Sequence, residues 1–386
     1  MSLYVHFGAG NIGRALAGPI FSRAGYEVVF VDAFQPVVNA LHERGSYCIV
    51  VKDDLPPGQP DKIKVSRVDA ISVNDADALR DVVCKADLVG TAVGAAHVSS
   101  VLKCMLPGIV ARGDRPLSIL FCENFNGVSD FAKKFLESAL PEDFLLKERI
   151  GFVETSIGKM VPIMPDTIRQ EDPLLVWTEA YNKIIADRNG FAGFVPENIQ
   201  GLELKDCFQA YVERKLYIHN LGHAACACHG FLKGYSLICD AVRDETICDL
   251  TRRVMMECAS ALTKRWPSEF HAENQREYVE DLIKRFGNRG LGDTIFRVGK
   301  DLFRKLSSGD RYIGALQLVQ EAGGDCKPVY QAIAAALKFK AVDENGNMFP
   351  ADDSFHKRLA KEGVEHVLQD HCGLSICESQ KVSSFY

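Results

Sequence analysis

Residues 3–7 form a short apolar run that leads directly into Gly8-Ala9-Gly10-Asn11-Ile12-Gly13. Apolar positions then recur with helical spacing at Ala15, Leu16, Ile20 and Phe21, and Gly25 stops the helix. Residues 28–31 are continuously apolar, as expected of a strand buried on both faces of a parallel sheet. The alternation continues with a predicted helix over 75–83 and a strand over 87–93. A helix follows through Val98, Val101, Leu102 and Met105, then a strand over 117–121, a helix after Gly127, and a strand over 150–154. Residues 174–180 alternate as an edge strand does. A stretch at 187–200 with two Gly and a Pro reads as the domain boundary, giving domains 1–195 and 196–386.

Beyond residue 204 the spacing is almost entirely helical. Helices are predicted over 206–231, 245–264, 272–286, 293–306, 311–321, 328–339 and 355–370. The fold class is therefore α/β, with an N-terminal Rossmann-type doubly wound sheet followed by an all-α C-terminal domain and a cleft expected between them.

The first unit carries a dinucleotide fingerprint in full context: strand, glycine turn, helix, strand, acid. Gly8 suits the tight turn, Gly10 the approach of a pyrophosphate, and Gly13 close packing of helix on strand. Asn11 and Ile12 open the helix whose N-terminus attracts the pyrophosphate. Asp32 ends the second strand, where a carboxylate accepts from ribose hydroxyls and disfavours a 2′-phosphate, so NAD is expected rather than NADP. Thr91, Val93 and Asn124 lie after later strands, at the carboxyl edge where open α/β sheets bind ligands.

The predicted helix 206–231 carries Lys215, Asn220 and His223 close to its apolar face. At 100° per residue Asn220 lies roughly 140° round from Lys215 and His223 roughly 80°, so all three can line one wall. That set suits alcohol–ketone chemistry. A desolvated Lys can serve as general base, an amide can donate to a developing alkoxide, and an imidazole can orient a hydroxyl. The alternative is a snorkelling Lys, an Asn at a kink and a satisfied core His.

Composition narrows the field. The 386 residues are 47% hydrophobic and 25% charged, which fits two ordinary soluble domains. A net charge of −6 argues against nucleic acid as a partner. No apolar run approaches the ~20 residues of a membrane span. The 13 Cys are odd in number and irregularly spaced, and no signal-peptide pattern starts the chain, so reduced thiols and a cytoplasmic location are expected.

Arg297, Lys300, Arg304, Lys305 and Arg311 crowd one stretch. Arg297, Lys300 and Arg304 fall on one face of the predicted helix and could clamp a phosphate or carboxylate, or simply be solvated. His219 and His223 have a zinc-compatible spacing, but Cys226 and Cys228 point to different faces and no further ligand pair accompanies them. No metal is therefore expected.

Taken together, His6 to Arg14, Thr91-Ala92-Val93-Gly94, Cys122-Glu123-Asn124, Gly151-Phe152-Val153, Val212-Glu213-Arg214-Lys215-Leu216 with Asn220 and His223, and Arg304-Lys305-Leu306-Ser307 with Gly309-Asp310-Arg311 resemble the polyol-specific long-chain dehydrogenases. The resemblance spans nearly the whole chain. It implies metal-free NAD chemistry with Lys215 as general acid/base, Asn220 and Asn124 stabilising the alkoxide, and His223 on substrate hydroxyls. The chain length and the Arg-Lys-Leu-Ser segment resemble the phosphate-using branch. That branch implies interconversion of mannitol 1-phosphate and fructose 6-phosphate, a small sugar-phosphate partner held by Arg297, Lys300, Arg304 and Lys305, and a monomer or weak oligomer. Two departures stand out. Ile157-Gly158-Lys159-Met160 replaces the family's Val-Asp-Arg-Ile, and Lys300 replaces an Arg. A 6-phosphogluconate-type dehydrogenase would space its pair as Lys-x3-Asn, whereas this chain has Lys-x4-Asn. A non-catalytic NAD sensor would not need Lys215, Asn220, Asn124 and His223 together.

Overall fold

The computed structural model describes residues 2–53, 61–125 and 127–386. The chain divides into two compact units, Met1–Phe208 and Gln209–Tyr386.

In the first unit, β1 (Leu3–Phe7), β2 (Glu27–Asp32), β5 (Val68–Ser72), β6 (Leu88–Thr91), β7 (Leu117–Phe121), β8 (Ile150–Ser156), β10 (Ile184–Asp187) and β11 (Leu202–Lys205) form one sheet. Its order is β11-β10-β8-β7-β6-β1-β2-β5. The six strands from β5 to β8 are parallel. β10 runs antiparallel to β8, and β11 pairs parallel with β10 beyond the Gly/Pro stretch. The strand order reverses between β1 and β6, which makes that pair the switch point where doubly wound sheets bind ligands. Each sheet face has its own apolar core, one including Tyr4, Leu16, Phe21 and Phe30, the other Val5, Leu102, Met105 and Ile119.

A second sheet, β4 (Lys62–Ser66), β3 (Ser46–Val51) and β9 (Val176–Thr178), lies outside the predicted elements except at β9, which is its edge strand. The helix Gln35–Arg44 was likewise not anticipated.

The second unit is helical. The predicted helix over 206–231 is Phe208–Arg214 and Leu221–Leu232 joined by a π-turn at Lys215–Asn220. Leu221–Leu232 is nearly all small and buried, from Ala224 to Cys228, as a central helix must be. The segment 293–306 is two short helices, Ile295–Gly299 and Leu302–Lys305. They break at Asp301, whose φ is +77°, a conformation that Asp tolerates better than most side chains. The segment 355–370 is likewise two helices that meet at Gly363, and a further helix, Ile376–Ser383, follows. Among the described residues no helix is long and apolar enough to cross a membrane.

Candidate active site

Each unit presents its own set of functional side chains. In the first, Gly8 sits at φ +100° and a Cβ there would meet Ala92 O at 2.5 Å, so both conformation and space require glycine. A Cβ on Gly13 would stand 2.1 Å from Gly8 O, whereas one on Gly10 would meet nothing within 4 Å. The turn is thus closed on its protein side and open at Gly10. The cleft beside it, ≈ 760 Å³, is lined by Gly10, Asn11 and Arg14 together with Phe34, Pro36, Val37, Met164 and Arg169. Its size and its mix of polar turn and apolar wall suit a nucleotide. Asp32 accepts from Ala9 N at 2.6 Å and from Phe34 N at 2.8 Å, which pins the acid to the turn while leaving lone pairs for hydroxyl donors.

At the ends of β6 and β7, Glu123 accepts from Val93 N (2.9 Å) and Gly94 N (2.8 Å). This carboxylate binds the two loops at the switch point together and occupies the Val93 amide. Its role went unread although Cys122-Glu123-Asn124 was singled out. Thr91 is fully buried and its hydroxyl has no hydrogen-bond partner among the described residues. Asn124 is exposed at the end of β7, and Asn126 lies outside the described residues. Lys159, in the departing segment, is buried and donates to the carbonyls of Glu179 and Tyr181.

In the second unit the neighbours of Lys215 are engaged elsewhere. Glu213 accepts from Trp266 and pairs with Arg265, and Arg214 lies over the rings of Tyr211, Phe270 and Tyr278. Lys215 opens the π-turn, where Leu221 N reaches back to Leu216 O, an i→i+5 bond. The uniform 100° rotation expected from the sequence therefore fails here. With i→i+5 bonding each residue turns through less than about 100°, so position 220 lies nearer the side of position 215 than the roughly 140° of a uniform α-helix. Burial first, and the Arg311 cation second, lower the Lys215 ammonium to about 8.

His223 stacks on Phe286 with centroids 4.6 Å apart and 8° between planes. Its Nε2 lies 3.6 Å from Asp293 Oδ2, too long for a hydrogen bond. Burial, followed by Arg297, Lys305, Arg311 and Arg285, lowers its pKa to about 3, so the ring is neutral at physiological pH. His219 is buried alongside, tilted against His223 and Phe286, and also held neutral by burial.

The cations divide into two groups. Lys305 is buried, donates to Val298 O, and is lowered to about 7 by burial and then Arg311. Arg297 pairs with the buried Asp293 at 2.8 Å, and Arg311 with Asp310 at 2.9 Å. All three act on His223. Lys300 instead lies over the rings of Phe296 and Phe349, and Arg304 pairs with Asp301 and Asp310. The shared face expected for Arg297, Lys300 and Arg304 does not exist, because the helix ends before Asp301 turns the chain. Among the described residues no group of three or more His, Cys, Asp or Glu stands close enough to hold a metal ion.

Comparison with known proteins agrees with this architecture. Residues 2–198 match the family model described as the mannitol dehydrogenase Rossmann domain, and residues 208–376 match the mannitol dehydrogenase C-terminal domain. Among solved structures, a substrate-free D-sorbitol dehydrogenase is 18% identical with a TM-score of 0.80, over 98% of this chain and 91% of that one. The mannitol 2-dehydrogenase of Pseudomonas fluorescens, solved as a ternary complex with NAD and D-mannitol, is 16% identical with a TM-score of 0.70, over 100% of this chain and 90% of that one. At such identities the likeness is one of fold.

Proposed function

From its membership of the mannitol dehydrogenase family, to which this chain belongs, we propose that the protein is an NAD-dependent polyol-phosphate dehydrogenase, interconverting D-mannitol 1-phosphate and D-fructose 6-phosphate without a metal. The open glycine turn and the cleft beside it fit NAD, with Gly8, Gly10, Asn11, Ile12, Gly13 and Asp32 as its binding residues. Bound NAD would supply the hydride acceptor.

The residues of this chain handle the proton and the charge. Lys215, as the neutral amine, takes the proton of the alcohol at the carbon being oxidised and returns it in the reverse direction. The Asn220 and Asn124 amides donate to the alkoxide that develops. Neutral His223 holds a substrate hydroxyl. The observation that carries the reading is the depressed Lys215 ammonium at the start of the π-turn that ends at Asn220.

The phosphate is assigned from charge. Arg297, Lys305 and Arg311 all act on a neutral His, with Asp293 and Asp310 paired to the two arginines and Asp301 and Asp352 acting on Lys305. Such a cluster of cations suits a dianionic substrate better than a neutral polyol. Of the four residues expected from the sequence, Arg297 and Lys305 have this support, and Arg311 joins them.

The test is NADH oxidation with fructose 6-phosphate and with fructose in parallel. A preference for the phosphate of 10²-fold or more in kcat/KM, on the order of one well-made charge pair or two, is expected. Equal rates would assign the protein to free polyols and leave the cation group without a ligand.

A further inference from the structure

Arg14 follows the glycine turn directly and is only 7% exposed. Its Nε donates to Ala9 O at 2.6 Å and its Nη1 to Pro173 O at 2.7 Å. Both partners are neutral carbonyls, which satisfy hydrogens but do not cancel the charge. The nearby acids are engaged with other groups. Asp32 accepts from Ala9 N and Phe34 N, and Asp172 accepts from Leu174 N and pairs with Arg44 at 2.7 Å. Among the described residues Arg14 makes no ion pair. A guanidinium held this far from water without a direct ion pair is costly, and an anion that joins it offsets that cost. Burial in fact lowers its pKa, with Tyr47, Asp32 and Asp172 offsetting part of the effect.

The place where an anion can join is open. Arg14 lines the same cleft as Gly10 and Asn11, on the side of the turn where a Cβ would meet nothing. Met164, Asp166, Arg169, Gln170 and Pro173 also line the cleft, and Pro173 O accepts from Arg14.

We propose that Arg14 binds the pyrophosphate of the dinucleotide and, through Ala9 O and Pro173 O, ties the glycine turn to the Pro173 segment that also lines the nucleotide cleft. This rests on the NAD reading given above and adds a charged side chain to a site otherwise made of backbone amides and Asp32. A guanidinium suits the task because its planar fork can keep two carbonyls and still present a donor edge to a phosphate oxygen.

The test is calorimetric titration of the full-length protein with ADP-ribose and with adenosine. In the wild type ADP-ribose binds the more tightly. Arg14→Met is expected to weaken ADP-ribose by roughly 10- to 100-fold, as for loss of a hydrogen bond to a charged group, and to change adenosine by less than about two-fold on the same scale. A residue that only braces the turn would leave the salt dependence of ADP-ribose binding unchanged in the variant, and that result, or no loss for either ligand, overturns the proposal. If Arg14→Met does not fold, Arg14→Lys keeps the charge but not the fork. A loss confined to ADP-ribose then supports the proposal, and unchanged affinity overturns it. A wild-type protein that binds neither ADP-ribose nor NADH removes the NAD reading along with the role of Arg14. Normal wild-type binding with an indifferent variant removes Arg14 alone.

Discussion

Asp293 Oδ2 lies 3.6 Å from His223 Nε2, and the same carboxylate holds Arg297 at 2.8 Å. One buried acid thus stands beside both a neutral ring and a cation that acts on that ring. Asp293→Asn keeps the shape and removes the charge. The expected result is a fall in kcat/KM on the order of 10²-fold, the scale of an approximately 1 Å misplacement in a reacting complex, with a lower melting temperature. Steady-state kinetics beside thermal unfolding separate the two effects. Wild-type kinetics at a lowered melting temperature would leave Asp293 a purely structural role.

Lys215 should control the pH profile. Oxidation of the alcohol requires the free amine, so its rate rises with pH through a midpoint near the folded value of about 8, while reduction of the ketone falls over the same range. Arg311 is the named cation that depresses Lys215, so Arg311→Gln should move both midpoints upward. Lys215→Ala should lower turnover by ~10² or more with NADH binding intact by fluorescence titration. A midpoint indifferent to Arg311→Gln would assign the titration to another group.

Gly10 and Gly13 should behave oppositely when replaced. A Cβ at position 13 is driven into the Gly8 carbonyl, so Gly13→Ala should lower the melting temperature sharply. A Cβ at position 10 meets only the cleft, so Gly10→Ala should fold normally and bind NADH weakly. Tight NADH binding by Gly10→Ala would place the pyrophosphate away from this turn.

Acid should destabilise the fold through its buried histidines. Burial lowers His6 and His223 to about 3 and His229 to about 4, and His219 falls well below its ordinary value. Below pH 6.5 the unfolded chain takes up protons that the folded chain refuses, so the unfolded state binds more of them and stability falls with pH. The effect develops from about pH 6.5 down to about 4 and 3, the folded values of these rings. Urea unfolding across that range should show a shallower dependence in His219→Phe than in wild type. An identical dependence would exclude His219 as a contributor.

The parts of the fold set by local pattern were legible. β1, β7 and the helix Ala272–Phe286 have the bounds that their apolar spacing and flanking breakers indicate. The glycine turn was legible because three separate physical demands fix its residues. Residues 35–72 were not read, since the sheet of β3, β4 and β9 depends on pairing Ile49 with Val176, a partner far along the chain. The break at Asp301 was hidden because an Asp adopts positive φ without a glycine to signal it. Lys215, Asn220 and His223 were visible as polar residues on an apolar face, but their geometry was not. A π-turn is stabilised by what packs round it and carries no strong local signal.

The π-turn at Lys215–Asn220 amounts to one residue more than an α-helix would use to cross the same distance. In a regular α-helix of the same length Lys215 and Asn220 would stand roughly 140° apart. Deleting one residue within the turn would restore α-helical hydrogen bonds and leave an i, i+4 pair, which an α-helix also holds on one face. A redesign that smooths this helix for stability therefore has to shorten the chain as well as straighten it.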